Sequence, residues 1–188
     1  MRKSLILTVA VWLLGLSGLA QAYNLTFEPV SQTILQGDTA QVSLNLTLDA
    51  TETLYGFDID VNFEPTILEF VDGTYGSAFS TWALAPVDLV AVGVLNIIAY
   101  DDSITFTGVS DGLFSLATFN FFGTTLGTSV LTAGGDLDLG NVDTTGLPVL
   151  DFVDATGSVN VVPEPSTWLL MVVGLLGLVG MKKKYHRE

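Results

Sequence analysis

Residues 37–73 read "GDTAQVSLNLTLDATETLYGFDIDVNFEPTILEFVDG". Two alternations lie inside this stretch. Val42, Leu44, Leu46 and Leu48 take turns with Ser43, Asn45 and Thr47. Phe57, Ile59, Val61 and Phe63 take turns with Asp58, Asp60 and Asn62. Successive side chains of a strand point to opposite faces, so a period of two predicts strands with one apolar and one wet face. The same pattern returns at Ile104 and Phe106, at Phe119 and Phe121, at Leu137 and Leu139, and at Val159 and Val161. Turn signals separate these runs: Gln36-Gly37-Asp38, Asp72-Gly73, Asp111-Gly112, Gly134-Gly135, and Thr145-Gly146 before Pro148. The only helical hint among them is a single turn from Pro65 to Glu69. Many short strands with frequent turns predict an all-β fold, an antiparallel sandwich.

Charge divides the chain of 188 residues into different materials. All six Lys and Arg stand at its ends: Arg2, Lys3, Lys182, Lys183, Lys184 and Arg187. From Tyr23 to Val162 there is no Lys, Arg, His or Cys, but there are eighteen Asp and Glu. Such a span cannot neutralise phosphates, which excludes nucleic-acid binding. It attracts cations and stays soluble. With no cysteine, it must hold together by core burial, and it is long enough to bury one sizeable core.

The first 22 residues join Arg2 and Lys3 to an apolar run, Leu5 to Leu19, and to the small-x-small site Ala20-Gln21-Ala22. This is the pattern of a secretory signal peptide, residues 1–22, handled by the Sec export machinery and signal peptidase. The other end pairs an uncharged run, Ser166 to Met181, with Lys182, Lys183, Lys184 and Arg187. A helix over 166–181 would be about 24 Å long, short of the roughly 30 Å hydrocarbon core, and lysine stems can reach across part of the deficit. The basic flank belongs on the cytoplasmic side. Pro163 and Pro165 make a stiff extended spacer before this single C-terminal transmembrane helix.

Two resemblances follow from these residues. Gly56-Phe57 through Phe63-Glu64-Pro65 to Leu68-Glu69-Phe70 resembles the opening strands of cohesin-type domains, with Glu64 where that family usually has Asp. "LFSLATFNFFGTTLGTSVLT" and "ATGSVNV" are similar to that family's late strands. The resemblance covers Asn24 to Val162, and the domain it marks is residues 23–162. It implies a nine-stranded jelly-roll sandwich, shared in part with carbohydrate-binding modules, that binds rather than catalyses. Pro163-Glu164-Pro165, then a short helix, then a basic cluster, is similar to the PEP-CTERM sorting signal, here residues 163–188. That likeness implies a partner enzyme, an exosortase, which removes the tail. It also implies transient residence in the inner membrane, then delivery to the cell surface or to an exopolysaccharide-rich biofilm matrix.

The chemistry open to residues 23–162 is narrow. Without Cys or His there is no Cys–His pair, no Ser–His–Asp triad and no ordinary zinc site. His186, the only histidine, belongs to the basic flank. Paired carboxylates remain for catalysis, as in glycan hydrolases. Asp58 and Asp60 sit about 6.6 Å apart along one strand face but read as a solvated face. Calcium takes six to eight oxygens, and Asp136, Asp138, Asn141 and Asp143 are the candidate ligands. Tyr75 and Trp82, with Phe79 between them, are candidate ligand platforms, or else caps on the core. The expectation is a non-enzymatic exported protein whose sandwich binds a protein or polysaccharide. The alternatives are an acidic matrix component crosslinked by calcium, and a carboxylate-pair glycan hydrolase.

Overall fold

The structure, a computed structural model, describes residues 23–142, 148–164 and 171–176. Eleven strands occupy the described residues: β1 Tyr23–Glu28, β2 Ser31–Leu35, β3 Thr39–Leu54, β4 Gly56–Asn62, β5 Leu68–Tyr75, β6 Ala83–Leu84, β7 Asp88–Ala91, β8 Val94–Tyr100, β9 Val109–Gly123, β10 Gly127–Val142 and β11 Pro148–Val162. One sheet has the order β1-β3-β9-β5. The other has the order β2-β11-β10-β4-β8-β6, with β7 also paired to β8. All pairings are antiparallel except β2 with β11.

The two sheets close on one core. Phe27, Leu44, Leu46, Phe119 and Phe121 come from the four-stranded sheet, and Ile59, Leu95 and Ile97 from the larger one; all are fully buried. Each large side chain removed from water contributes about 1.5–3 kcal/mol, which holds the layers together without any disulfide. Five of the expected alternations therefore face inward, on or at the end of strands: 42–48, 57–63, 119–121, 137–139 and 159–161. The opening segment supplies two strands, because Pro29 has no N–H to give a ladder. The chain crosses there from the smaller sheet to the larger, and Ser158 N–H donates to the Val30 carbonyl at 2.9 Å.

Gln36-Gly37-Asp38 forms a turn, with Gly37 at φ 92° and Asp38 N–H donating to Leu35 at 3.0 Å. Other glycine signals mark strand interiors instead. Gly134-Gly135 lies inside β10, not at a turn. A Cβ on Gly135 would stand 2.1 Å from the Asp58 carbonyl oxygen, so only glycine lets β10 approach β4 there. Asp72-Gly73 lies within β5 beside a register shift, and Asp111-Gly112 within an irregular part of β9. Thr145-Gly146 lies outside the described residues.

One predicted strand is absent. Ile104 is fully exposed and Phe106 is 63% exposed, both in the connection from β8 to β9. The cause is local. The buried Asp101 carboxylate accepts from Ser103 N–H at 2.9 Å and from Gly108 N–H at 2.8 Å. A side chain that takes backbone donors in this way offers the segment a loop instead of a ladder.

Within the 166–181 segment, residues 171–176 form a short helix, and the rest lies outside the described residues. Among the described residues no helix is long and apolar enough to cross a membrane.

Candidate binding face

The outer face of the larger sheet gathers acids from strands far apart in sequence. Register places Asp136 of β10 directly opposite Asp58 of β4. The next row along the sheet runs Asp154, Gly134, Asp60, Asn96 and Asp88, from β11 through β10, β4 and β8 to β7. Alternation puts these side chains outward, because Ile59, Val61, Leu95, Ile97, Leu137 and Val153 between them are buried. Asp58, Asp60, Asp88 and Asp154 are exposed, and Asp136 and Asp138 are half-buried.

Asn96 ties part of the face together. Its Nδ2 donates to Asp58 Oδ1 at 2.8 Å and to Asp60 Oδ1 at 2.9 Å. No ammonium or guanidinium group is present between Tyr23 and Val162 to offset these charges. Directly opposed like charges destabilise a sheet, so packing gives no reason for the Asp58–Asp136 pair. Phe152, 66% exposed, belongs to the same face and leans over the bare backbone of Gly134.

The residues singled out by sequence fare differently. Asp136 and Asp138 share the outer side of β10, and Asp138 Oδ1 accepts from Gly140 N–H at 2.9 Å. The Asn141 side chain and Asp143 lie outside the described residues, and among the described residues no group of three or more acids is placed to hold a metal. Trp82 is not an exposed platform: it is 9% exposed and packs on Phe79, ring centroids 4.8 Å apart. Phe79 in turn meets Phe57 edge-on at 5.3 Å. Aromatic burial at this corner outweighs exposure, so these rings cap the core.

Tyr75 is also no platform. Its hydroxyl donates to the Ile98 carbonyl at 3.1 Å and accepts from Ile98 N–H at 3.0 Å, joining β5 of one sheet to β8 of the other. Burial pushes this phenol above its ordinary pKa, against the opposing pull of the Ile98 backbone bond.

At the opposite edge, β11 stays in its ladder to the last residue: Gln36 N–H donates to the Val162 carbonyl at 2.9 Å. Pro163 and Glu164 follow at once, exposed, beside a groove of about 500 Å³ lined by Gln36, Phe122 and Thr124. Pro165, Lys182, Lys183, Lys184 and Arg187 lie outside the described residues.

Known proteins separate the two ends of this description. Residues 161–184 match the PEP-CTERM protein-sorting motif. The sandwich has the cohesin fold. It superposes on a non-cellulosomal cohesin from the hyperthermophilic archaeon Archaeoglobus fulgidus with TM-score 0.57 and 17% identity, covering 78% of this chain and 96% of that one. A cohesin module from a Clostridium perfringens family 33 glycoside hydrolase matches with TM-score 0.56 and 12% identity, over 76% of this chain and all (100%) of that one. The sixth cohesin of scaffoldin B from Acetivibrio cellulolyticus, solved in complex with a dockerin, matches with TM-score 0.56 and 17% identity, over 76% and 100% of the two chains. No curated protein matches the sequence.

The acids of the face were visible in the sequence, but their meeting was not. Asp58 and Asp60 read as one strand's solvated side, while Asp88, Asn96 and Asp154 carried no signal of their own. A D-x-D spacing on each of two strands was the one available hint, at 58–60 and 136–138.

Proposed function

We propose that this is an exported, non-enzymatic binding protein, sorted through its C-terminal PEP-CTERM motif, whose acidic sheet face docks a basic protein partner. In this reading residues 1–22 are the signal peptide and 23–162 the binding domain. Residues 163–188 are the sorting signal, with a membrane helix over 166–181 and Lys182, Lys183, Lys184 and Arg187 left on the cytoplasmic side. An exosortase removes the tail, and the protein then passes from the inner membrane to the cell surface or matrix.

The observation that carries the docking role is the opposition of Asp58 to Asp136, beside the Asp154-Asp60-Asp88 row, in a domain with no cation. A field of one sign steers an oppositely charged partner and fixes its register. The cohesin fold supports a protein partner, since a cohesin of the same fold is solved with a dockerin bound. The sorting role is supported by the motif match and by the exposed Pro163-Glu164 immediately beyond the last strand.

Two measurements test this. Intact mass of protein recovered from the cell surface should lack both end segments; a full-length mass would overturn the sorting role. Binding of the full chain to matrix from the producing cells should fall with salt, vanish after protease treatment, and be lost when Asp58, Asp60, Asp136 and Asp154 are changed to Asn. Binding that survives protease and disappears on polysaccharide hydrolysis would assign a polysaccharide ligand instead.

The opposed carboxylates also favour a second reading, an acidic matrix component bridged by calcium. Calcium-dependent self-association in light scattering would select it.

A further inference from the structure

The acidic face ends in an aromatic pocket. The row beyond Asp136 and Asp58 runs Asp138, Gly56 and Tyr100. There a cavity of about 320 Å³ is lined by Tyr55, Tyr100, Phe106, Asp101, Asp138 and Gly140. Three rings and two carboxylates converge on one small space. A cavity of this size lies at the bottom of the range for small-ligand sites, about 300–1,000 Å³, and suits one side chain or headgroup more than a length of polymer.

The pocket is built, not left over from folding. Phe106 takes a left-handed backbone, φ 43°, which bulky residues rarely adopt. Core burial does not reward this, because the ring is 63% exposed. The loop is held from below: Asp101 binds the amides of Ser103 and Gly108, Asp101 N–H donates to the Tyr55 carbonyl at 2.8 Å, and Phe106 N–H donates to Ser103 at 3.2 Å. Gly108 closes it at φ 59°, where a Cβ would stand 2.6 Å from the Leu54 carbonyl oxygen. On the other wall Gly140, at φ 72°, is bare so that the Tyr55 ring can lie against it: a Cβ there would be 2.6 Å from Tyr55 Cε2. Tyr100 is 55% exposed, so two of the three rings stay wet with no partner among the described residues to cover them.

The charge decides what such a pocket takes. Rings attract cations over their faces, and carboxylates do so at their edges. The Asp101 carboxyl is held below the usual carboxylate range by its Ser103 and Gly108 bonds, so it is ionised at neutral pH. An anionic group finds no counter-charge anywhere from Tyr23 to Val162, and a neutral sugar can donate its hydroxyls to the carboxylates but draws nothing from their net charge, whereas a cation uses both. Between the cations, guanidinium is the more weakly hydrated and stacks on rings, whereas ammonium is a hydrated point charge.

We propose that this pocket receives one arginine side chain of the partner, its guanidinium set among Tyr55, Tyr100 and Phe106 and paired with Asp138. The inference rests on the reading of the sheet face as a docking surface for a basic protein: the face steers and the pocket anchors.

The test uses a probe too small to need the rest of the face. N-acetyl-arginine amide is titrated into the full chain while the ring resonances of Tyr55, Tyr100 and Phe106 are followed by NMR. Saturable shifts are expected, with the neutral isostere N-acetyl-citrulline amide binding about tenfold more weakly, the loss of one cation–π and charge contact set. Phe106→Gly, which suits the left-handed backbone and so keeps the fold, should weaken the arginine probe several-fold, as should Asp138→Asn. The change of Asp60 and Asp154 alone to Asn should leave the probe's affinity within about twofold in physiological salt, because their row lies four residues along β10 from Asp138, about 13 Å and so beyond a Debye length. No ring shifts, equal binding of the citrulline amide, or a preference for neutral oligosaccharides would each overturn the arginine assignment. Partner binding that is lost in the four-Asn variant but unchanged in Phe106→Gly would remove the anchor and leave the docking face standing.

Discussion

The two outer faces of this sandwich are made of different chemistry. On the four-stranded sheet the central strands β3 and β9 carry neutral polar groups that bond to one another. Gln41 Nε2 donates to Asn120 Oδ1 at 3.2 Å, and Ser43 Oγ lies 2.8 Å from Thr118 Oγ1. Its acids stand on the edge strands, Glu28, Glu69 and Asp72, or at the irregular ends of β3 and β9 where the register shifts, Asp49, Glu52 and Asp111, and Asp72 is held by Asn120. On the larger sheet the central strands β4 and β10 carry the acids themselves, Asp58 against Asp136. The first face satisfies its own groups across the strands. The second sets like charges against each other, an arrangement that weakens the sheet and strengthens its field. In the function proposed above, the surface that gives up stability in this way is the one that meets the partner.

The sharpest way to break the contrast is to push the acidic strands apart. Gly135→Ala puts a methyl group into the β4 backbone and should destabilise by about 3 kcal/mol or more, the top of the overpacking range. Chemical denaturation would show it, and a near-neutral result would mean that β10 and β4 are not in this register.

Next comes the link between the sheets. Tyr75→Phe removes both bonds to Ile98 and leaves its half-buried N–H without that partner, an expected loss of about 1–3 kcal/mol in the same assay.

Acid acts at the loop between β8 and β9. Asp101 titrates below its unfolded value of about 3.9, so its contribution is complete above that pH and disappears as pH falls through the lower, folded value. Asp101→Asn should therefore be less stable than the parent at pH 7, with the gap closing below about pH 4. A gap that stays constant with pH would show that the carboxylate charge is not what holds the loop.

Single changes on the two faces should differ in sign. Asp136→Asn relieves repulsion with Asp58 and should stabilise by about 0.5 kcal/mol. Ser43→Ala breaks a bond across β3 and β9 and should destabilise by about 1 kcal/mol. Added salt should raise the stability of the parent by about 0.3 kcal/mol and that of the four-Asn variant by less, measured as a shift in melting temperature.

Alternation was legible because burial on a sheet follows parity. Reading every second residue sufficed to place Leu44, Leu46, Ile59 and Phe121 inside. It failed at Ile104 and Phe106, where the pattern was present but the Asp101 side chain captured the backbone first. The turn signal failed at Gly134-Gly135, where glycine serves a close approach between strands, and at Trp82 the choice between platform and core cap fell to burial in the core.

The chain's division into cation-tipped ends and an acid-only middle, its all-β class and its sorting tail are properties of composition and order, readable one residue at a time. Which acids face each other, which aromatics turn inward, and which of them gather around one pocket depend on strand register. Register is a relation between residues far apart in the chain. Asp58 and Asp136 became neighbours only when β4 and β10 paired, and Phe106 reached the pocket of Tyr55 and Tyr100 only because Asp101 bent the backbone toward it.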